Sequence, residues 1–234
     1  MRALVARKIG GRCHSIIIIP NWADVSGITP LPRDRNGLLQ ELGLTQQFVV
    51  QYSGNMGRTH GIESLWVSAR QLSHQPDVHF LIIGTGAKKE WLEERIQRDG
   101  LRNVTVLPTR PRNDLASTLN ACDVAIISFI AGTAGISVPS RMYNILAAGK
   151  PIIAVADDGS ELALVIREEQ VGWVVPPGQT DRIVEAILEA RANPERLIDM
   201  GQRARAAAEQ NYSFERVIQA YYDLIQSLDN ESQE

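Results

Sequence analysis

The stretch FVVQYSGNMGRTHGIESLWVSARQLSHQPDVHFLIIG, residues 48–84, decides the fold. Its two ends, FVVQYS (48–53) and HFLIIG (79–84), are near-continuous β-branched and aromatic runs rather than alternating ones, which is the pattern of strands covered on both faces. Between them GIESLWVSARQLSHQ places apolar residues at helical spacing. A strand, a glycine-rich turn, a helix and a second strand make a βαβ unit, which joins parallel neighbours in a sheet.

The same alternation continues downstream. Strand patterns follow at VTVL (104–107), VAIIS (124–128), PIIAVA (151–156) and GWVV (172–175), separated by helix patterns in AKKEWLEERIQRDG, RNDLASTLNAC, SRMYNILAAG, GSELALVIREE and TDRIVEAILEARAN. The expected fold class is therefore α/β, a Rossmann-like parallel six-stranded sheet with helices on both faces. Residues 47–195 form that unit. Residues 29–46, opening with the proline-rich TPLPRDRNG, read as a linker, and 1–28 hold one strand, SIIIIP, too little to fold alone. Residues 196–228 carry two further helices, the last opened by Ser213 with Glu215 in its first turn, and 229–234 form a frayed tail.

Composition narrows the function. The 234 residues are 44% hydrophobic and 22% charged, the balance of a globular protein with a sizeable core. With 24 Lys and Arg against 27 Asp and Glu, the net charge of -3 gives no general attraction to nucleic acid or anionic lipid, so any phosphate binding is local. No apolar run approaches the ~18 residues needed to span a bilayer, so membrane contact is at most peripheral. Cys13 and Cys122 show no metal-ligand or disulfide spacing, and a cytoplasmic location with reduced thiols is expected.

Ligands of such sheets bind at the carboxyl ends of the strands. After the first strand, GNMGRTHG contains Gly54, Asn55, Gly57, Arg58 and His60 before the helix; it is either a backbone cradle for phosphate or a plain glycine turn. The second loop holds Gly84 and Gly86, but Lys89 breaks the dinucleotide fingerprint GxGxxG, which argues against a nicotinamide or flavin site. The third, LPTRPRND, includes Leu107, Pro108, Arg110 and Arg112; its stiff backbone suits reading a base edge, while solvated arginines are the plainer alternative. The fourth, FIAGTAGISVPSR, is long, contains Gly135, and runs into Ser140 and Arg141, with Asn144 on nearly the same helical face. A helix-capping Ser140 with a solvated Arg141 is its alternative. In the fifth, DDGSE, Ser160 and Glu161 either cap a helix or bind hydroxyl groups. No catalytic triad, HExxH, Walker A loop or metal-binding carboxylate cluster is present in the sequence, and Cys122 reads as packing.

The order of these motifs, from YSGNMGRTHGIESL through FLIIGTG, GLRNVTVLPTRPRNDL, CDVAII and VPSRMYNILAAGKPIIAV to GSE and VGWVVPPG, resembles the C-terminal, donor-binding half of the group 1 (family 4) glycosyltransferases of GT-B fold, from residue 47 to about 225. IIPNWAD (18–24) resembles the segment leaving that family's N-terminal domain. The resemblance implies retaining transfer of a sugar from a nucleotide-diphosphate sugar in polysaccharide or glycoconjugate assembly, without a cofactor or obligatory metal. It assigns the diphosphate to Gly54, Asn55, Gly57, Arg58, His60, Ser140 and Arg141. It assigns the nucleoside to Gly84, Gly86, Leu107, Pro108, Arg110 and Asn144, with Gly135, Ser160 and Glu161 elsewhere in the cleft. The chain departs from the family's pattern at Asn55 and His60, where Arg and Lys are usual, and at Ile136 and Asn144, where the Glu-x7-Glu pair falls. The acceptor site and catalytic His of such enzymes lie on the other domain, so this chain is expected to bind donor without efficient transfer unless an N-terminal domain or partner subunit completes the cleft. The alternatives are a non-catalytic nucleotide- or partner-binding module and a GT-B-like sugar-nucleotide epimerase or phosphorylase.

Overall fold

The computed structural model describes residues 5–6 and 16–231. Six strands form one parallel sheet: β1 (Phe48–Ser53), β2 (Val78–Ile83), β3 (Val104–Leu107), β4 (Val124–Ser128), β5 (Ile152–Val155) and β6 (Gly172–Val175). Their order, β3-β2-β1-β4-β5-β6, puts the topological switch between β1 and β4. β1 pairs in register with β2 along its whole length, from Phe48 opposite Val78 to Ser53 opposite Ile83.

Because side chains alternate along a strand, each strand feeds two cores. Val49, Leu81, Ala125, Ile127 and Ile152 face one side. Val50, Phe80, Val124, Ile126 and Ile153 face the other, under α2 (Ile62–Gln71), α3 (Lys89–Asp99) and α7 (Thr180–Ala192). The first core is covered by α1 (Gly37–Glu41), α4 (Leu115–Asn120), α5 (Arg141–Ala147), α6 (Glu161–Glu168) and α8 (Pro194–Asn211). The last helix, α9 (Phe214–Glu231), is capped by Ser213, whose Oγ accepts from the Arg216 N–H at 3.3 Å.

Three expectations change. Residues 29–46 are a packed segment: Leu38, Leu39 and Leu44 are buried, and Arg33 donates to the carbonyls of Thr45, Leu44 and Gln47 and to Asp123. Residues 16–20 form no strand, and Ser15, the first residue of the expected one, lies outside the described residues. The segment after them is nonetheless fastened: the Ala23 N–H donates to the Tyr212 carbonyl at 2.6 Å. The tail begins later than expected, since α9 continues through Glu231; residues 232–234, like Cys13, lie outside the described residues.

Candidate functional site

The carboxyl ends of β1 and β4 open on either side of the switch, and the loops that follow them are stitched together there. The Gly61 N–H donates to the Ser128 carbonyl at 3.2 Å, Ser128 Oγ returns a bond to the Gly61 carbonyl at 3.1 Å, and the Ile130 N–H reaches the Thr59 carbonyl at 3.0 Å. A third loop joins through Asp157, just beyond β5, whose Oδ2 accepts from the backbone N–H groups of Gly132 at 2.9 Å and Ala134 at 3.1 Å.

Arg141, the first residue of α5, reaches back to this junction. Its guanidinium lies 4.7 Å from the centroid of the Tyr52 ring, and Nη1 donates to the Ser53 carbonyl at 3.3 Å. The space it enters exists because position 54 is glycine: a Cβ there would sit 2.1 Å from Nη1, and the φ of 148° is one that side-chain-bearing residues rarely adopt. Gly84 is required for a similar reason, with a would-be Cβ 2.0 Å from the Gly54 carbonyl oxygen. Gly86 backs onto Met56 and the Asn55 side chain. Burial holds the Tyr52 hydroxyl above its usual range, against the opposing pull of Arg141, and that hydroxyl donates to the Asn55 carbonyl at 2.6 Å.

His60 packs against Phe129 with ring centroids 5.1 Å apart. Burial, followed by the charges of Arg141 and Lys88, pushes its pKa from the usual 6.5 down to about 4, so it is neutral near pH 7. Lys88 donates to the His60 carbonyl at 2.8 Å and pairs with Glu63 at 2.8 Å, so its charge is already partnered. Arg58 is exposed.

Beside the junction lies a cleft of about 230 Å3 between the loops after β1, β2 and β3, lined by Gly54, Gly84, Thr109, Arg110, Arg112 and Thr118 among others. Arg110 is held by Asp114 at 3.2 Å, with Glu41 at 3.9 Å. Among the described residues, seven buried side-chain nitrogen or oxygen atoms have no hydrogen-bond partner; five belong to this junction and cleft: His60 Nδ1, Arg141 Nε and Nη2, Arg110 Nε and Thr118 Oγ1. Unpaired buried polar atoms are costly and rare, so this concentration singles out the junction and cleft among the described residues. A larger cavity of about 590 Å3 lies at the amino ends of β4 and β5, under α8, the opposite end from the one where such sheets bind ligands.

The structure thus brings together Gly54, Asn55, Gly57, His60, Gly84, Gly86, Arg110 and Arg141. The other candidates have contacts of their own or none there. Asn144 Oδ1 accepts from the Asp24 N–H at 3.2 Å. Ser140, immediately before Arg141, is exposed, has helical φ and ψ, and makes no capping bond, so the N-cap alternative fails. Ser160 is a cap, accepting from the Ala163 N–H at 3.2 Å, and Glu161 lines a cavity with Val138, Tyr143 and the Ile16–Asn21 segment. Leu107 contributes its carbonyl to the Gly84 N–H at 3.0 Å; neither it nor the exposed Pro108 lines the cleft. Gly135 lies half-buried in the loop after β4 with φ of 76°. Cys122 is buried and burial pushes its thiol up to about 12, which fits packing. Sequence reasoning missed Tyr52, Lys88 and Asp157; the first is the last aromatic of a strand, and only its position at the carboxyl end marked it.

A doubly wound sheet with a glycine-walled cleft and unpartnered guanidinium nitrogens at its switch point defines a nucleotide- or phosphoryl-ligand α/β domain. The chain belongs to the group 1 glycosyltransferases, whose family model matches residues 35–207. It is 33% identical over 240 residues to a Pseudomonas aeruginosa protein described as a probable glycosyltransferase, WbjE, covering 99% of this chain and 57% of that one. It is 27% identical to a GDP-mannose-dependent mannosyltransferase of Corynebacterium glutamicum acting on monoacylated phosphatidylinositol monomannoside, covering 89% of this chain and 55% of that one. The fold matches that of Anabaena HepE, solved in complex with UDP-glucose, with a TM-score of 0.80 at 22% identity over 94% of this chain and 60% of that one. The chain therefore spans little more than half the length of these relatives.

Proposed function

We propose that this chain is the donor-binding portion of a glycosyltransferase, holding a nucleotide-diphosphate sugar at the switch point between β1 and β4. The observation that carries the reading is the cluster of unpartnered buried atoms: Arg141 Nε and Nη2 with His60 Nδ1 on the diphosphate side, Arg110 Nε and Thr118 Oγ1 on the nucleoside side. Arg141 supplies the counter-charge that Asn55 and His60 do not, and its planar, permanently charged fork suits a phosphate better than a lysine would. In this reading no metal is obligatory, the sugar is transferred with retention, and the product belongs to polysaccharide or glycoconjugate assembly. The complexes of HepE with UDP and UDP-glucose support a nucleotide sugar as the ligand class.

Transfer needs a second wall to position the acceptor and the reacting groups. We assign that wall to an N-terminal domain or a partner subunit, consistent with the extra length of the relatives. Membrane contact, if the assembled enzyme makes any, is peripheral on this chain, since no described helix is long and apolar enough to cross a bilayer.

A second reading, a nucleotide-binding module without transferase activity, is favoured by one observation: Asn144 stands where the second family carboxylate falls, and its side chain is committed to the Asp24 backbone. The first experiment is a thermal-shift panel of UDP, GDP, ADP and CMP. A nucleotide at 100 times its dissociation constant stabilises by about 2.7 kcal/mol, or roughly 5 to 10 °C for a domain of this size. One clear responder supports the donor site and names the base; a folded sample that responds to none refutes it. Sugar release from the matching nucleotide sugar, with and without a co-expressed N-terminal domain of a relative, then separates the two readings.

A further inference from the structure

We propose that Asp157 is a positioning residue whose carboxylate fixes the β4–α5 loop, residues 129–140, against the diphosphate-sugar end of the donor; this rests on the donor-site reading above. The loop enters from β4 beside His60 and leaves into Arg141, so its path sets where the guanidinium starts. Its internal bonds are local: Thr133 Oγ1 donates to the Ile130 carbonyl at 3.1 Å, and the Ile136 N–H reaches the Thr133 carbonyl at 3.1 Å. Between the stitch at Thr59 and Ile130 and the start of α5, the contact with Asp157 ties it to the third strand of the site, β5.

The chemistry of that tie is specific. One carboxylate oxygen takes two backbone N–H groups that converge around Gly132, whose φ is 83°. Converging amides of this kind form an anion-binding concavity, and charge-assisted bonds are the stronger class. Among the described residues Asp157 forms no ion pair, and Arg167 is taken by Asp158. A charged acceptor just past a strand end is thus committed to shaping one loop. The nucleoside cleft is walled by the loops after β1, β2 and β3; Asp157 is not among its lining residues, and its carboxylate bonds go to the loop after β4. Its influence should accordingly fall on the part of the ligand beyond the first phosphate.

The test is calorimetric titration of wild type, Asp157→Ala and Asp157→Asn with UMP, UDP and UDP-glucose, and with GMP, GDP and GDP-mannose. Expected for Asp157→Ala is at least a tenfold weakening for the nucleotide sugar and about twofold or less for the monophosphate, since only the distal contacts are disturbed. Asp157→Asn keeps an acceptor oxygen and should restore binding to within about threefold of wild type. If Asp157→Ala does not fold, Asp157→Glu, which keeps the charge and moves it outward by one methylene, should give the same selective loss. Equal losses for all three ligands, unchanged affinity, or tighter binding overturns the proposal while leaving the donor site standing. Wild type that binds none of the six nucleotides sinks the donor reading, and the role of Asp157 with it.

Discussion

Arg141 has its ring stacking and one bond to a carbonyl, yet two of its nitrogens are buried without partners. In the proposed donor site those nitrogens serve the ligand, an arrangement that costs stability in the free protein and makes opposite predictions for the two states. Arg141→Ala should weaken binding of the responding nucleoside diphosphate at least tenfold, about 1.4 kcal/mol, while moving the midpoint of the ligand-free protein by no more than about 3 °C. A large loss of ligand-free stability with unchanged affinity would make Arg141 a structural residue. His60 adds a pH dependence. Its pKa falls from 6.5 in the unfolded chain to about 4 in the fold, so between those values the unfolded state binds more protons and stability rises with pH. Urea midpoints should therefore drop as pH falls from about 6.5 towards 4, and His60→Gln should flatten that part of the curve. At this scale the sequence was only half legible. The glycines at 54 and 84 and the arginine at 141 stood out by type and place. Asn144 misled because helical spacing predicts a shared face but not that Asp24, 120 residues away in sequence, would claim its oxygen. Asp157 was invisible because its meaning lies in two amides of another loop.

At the scale of elements, periodicity carried most of the fold. All six strands fall within a residue of their sequence-read limits, since a buried parallel strand must be a short apolar run. Helix ends were overrun at residues such as His74 and Cys122, where pattern continues after the backbone has turned. Residues 29–46 were misread because prolines and charges signal a loop, whereas packing is decided by Leu38 and Leu39 and by one arginine. Arg33 closes four bonds at once, three to carbonyls just before β1 and one to Asp123, whose other oxygen accepts from the Val49 N–H at 2.6 Å. This clasp sets the entry of both central strands. Arg33→Ala should destabilise by about 2 to 4 kcal/mol, because carbonyls and a carboxylate lose a charged donor together. Arg33→Lys should recover less than half of that, as a single ammonium cannot span four acceptors. Chemical denaturation measures both, and a loss below about 1 kcal/mol for Arg33→Ala would reduce the clasp to ordinary surface pairing.

For the molecule as a whole, α9 is the element least supported by the rest. Phe214, Ile218, Tyr221, Tyr222 and Ile225 fall on one helical face and are each 47 to 57% exposed, and Trp22, 49% exposed, meets Phe214 edge-on at 5.7 Å. Val217 faces inward and is buried. Helices in water depend chiefly on packing of an apolar face, so most of the stabilisation available to α9 is unrealised within this chain. Two consequences follow for the protein alone and in its proposed assembly. Backbone amides of 218–228 should exchange with solvent several orders of magnitude faster than those of β1, β2 and β4, which sit between two cores. The double substitution Ile218→Glu with Ile225→Glu should leave the thermal midpoint of this chain within about 2 °C, since it alters exposed rather than buried surface. With the complementing wall present, the same substitution should abolish both the slowing of exchange in α9 and any gain in sugar transfer. A midpoint that falls sharply in this chain would instead place α9 within its cooperative core, and the proposed second wall would have to seat elsewhere.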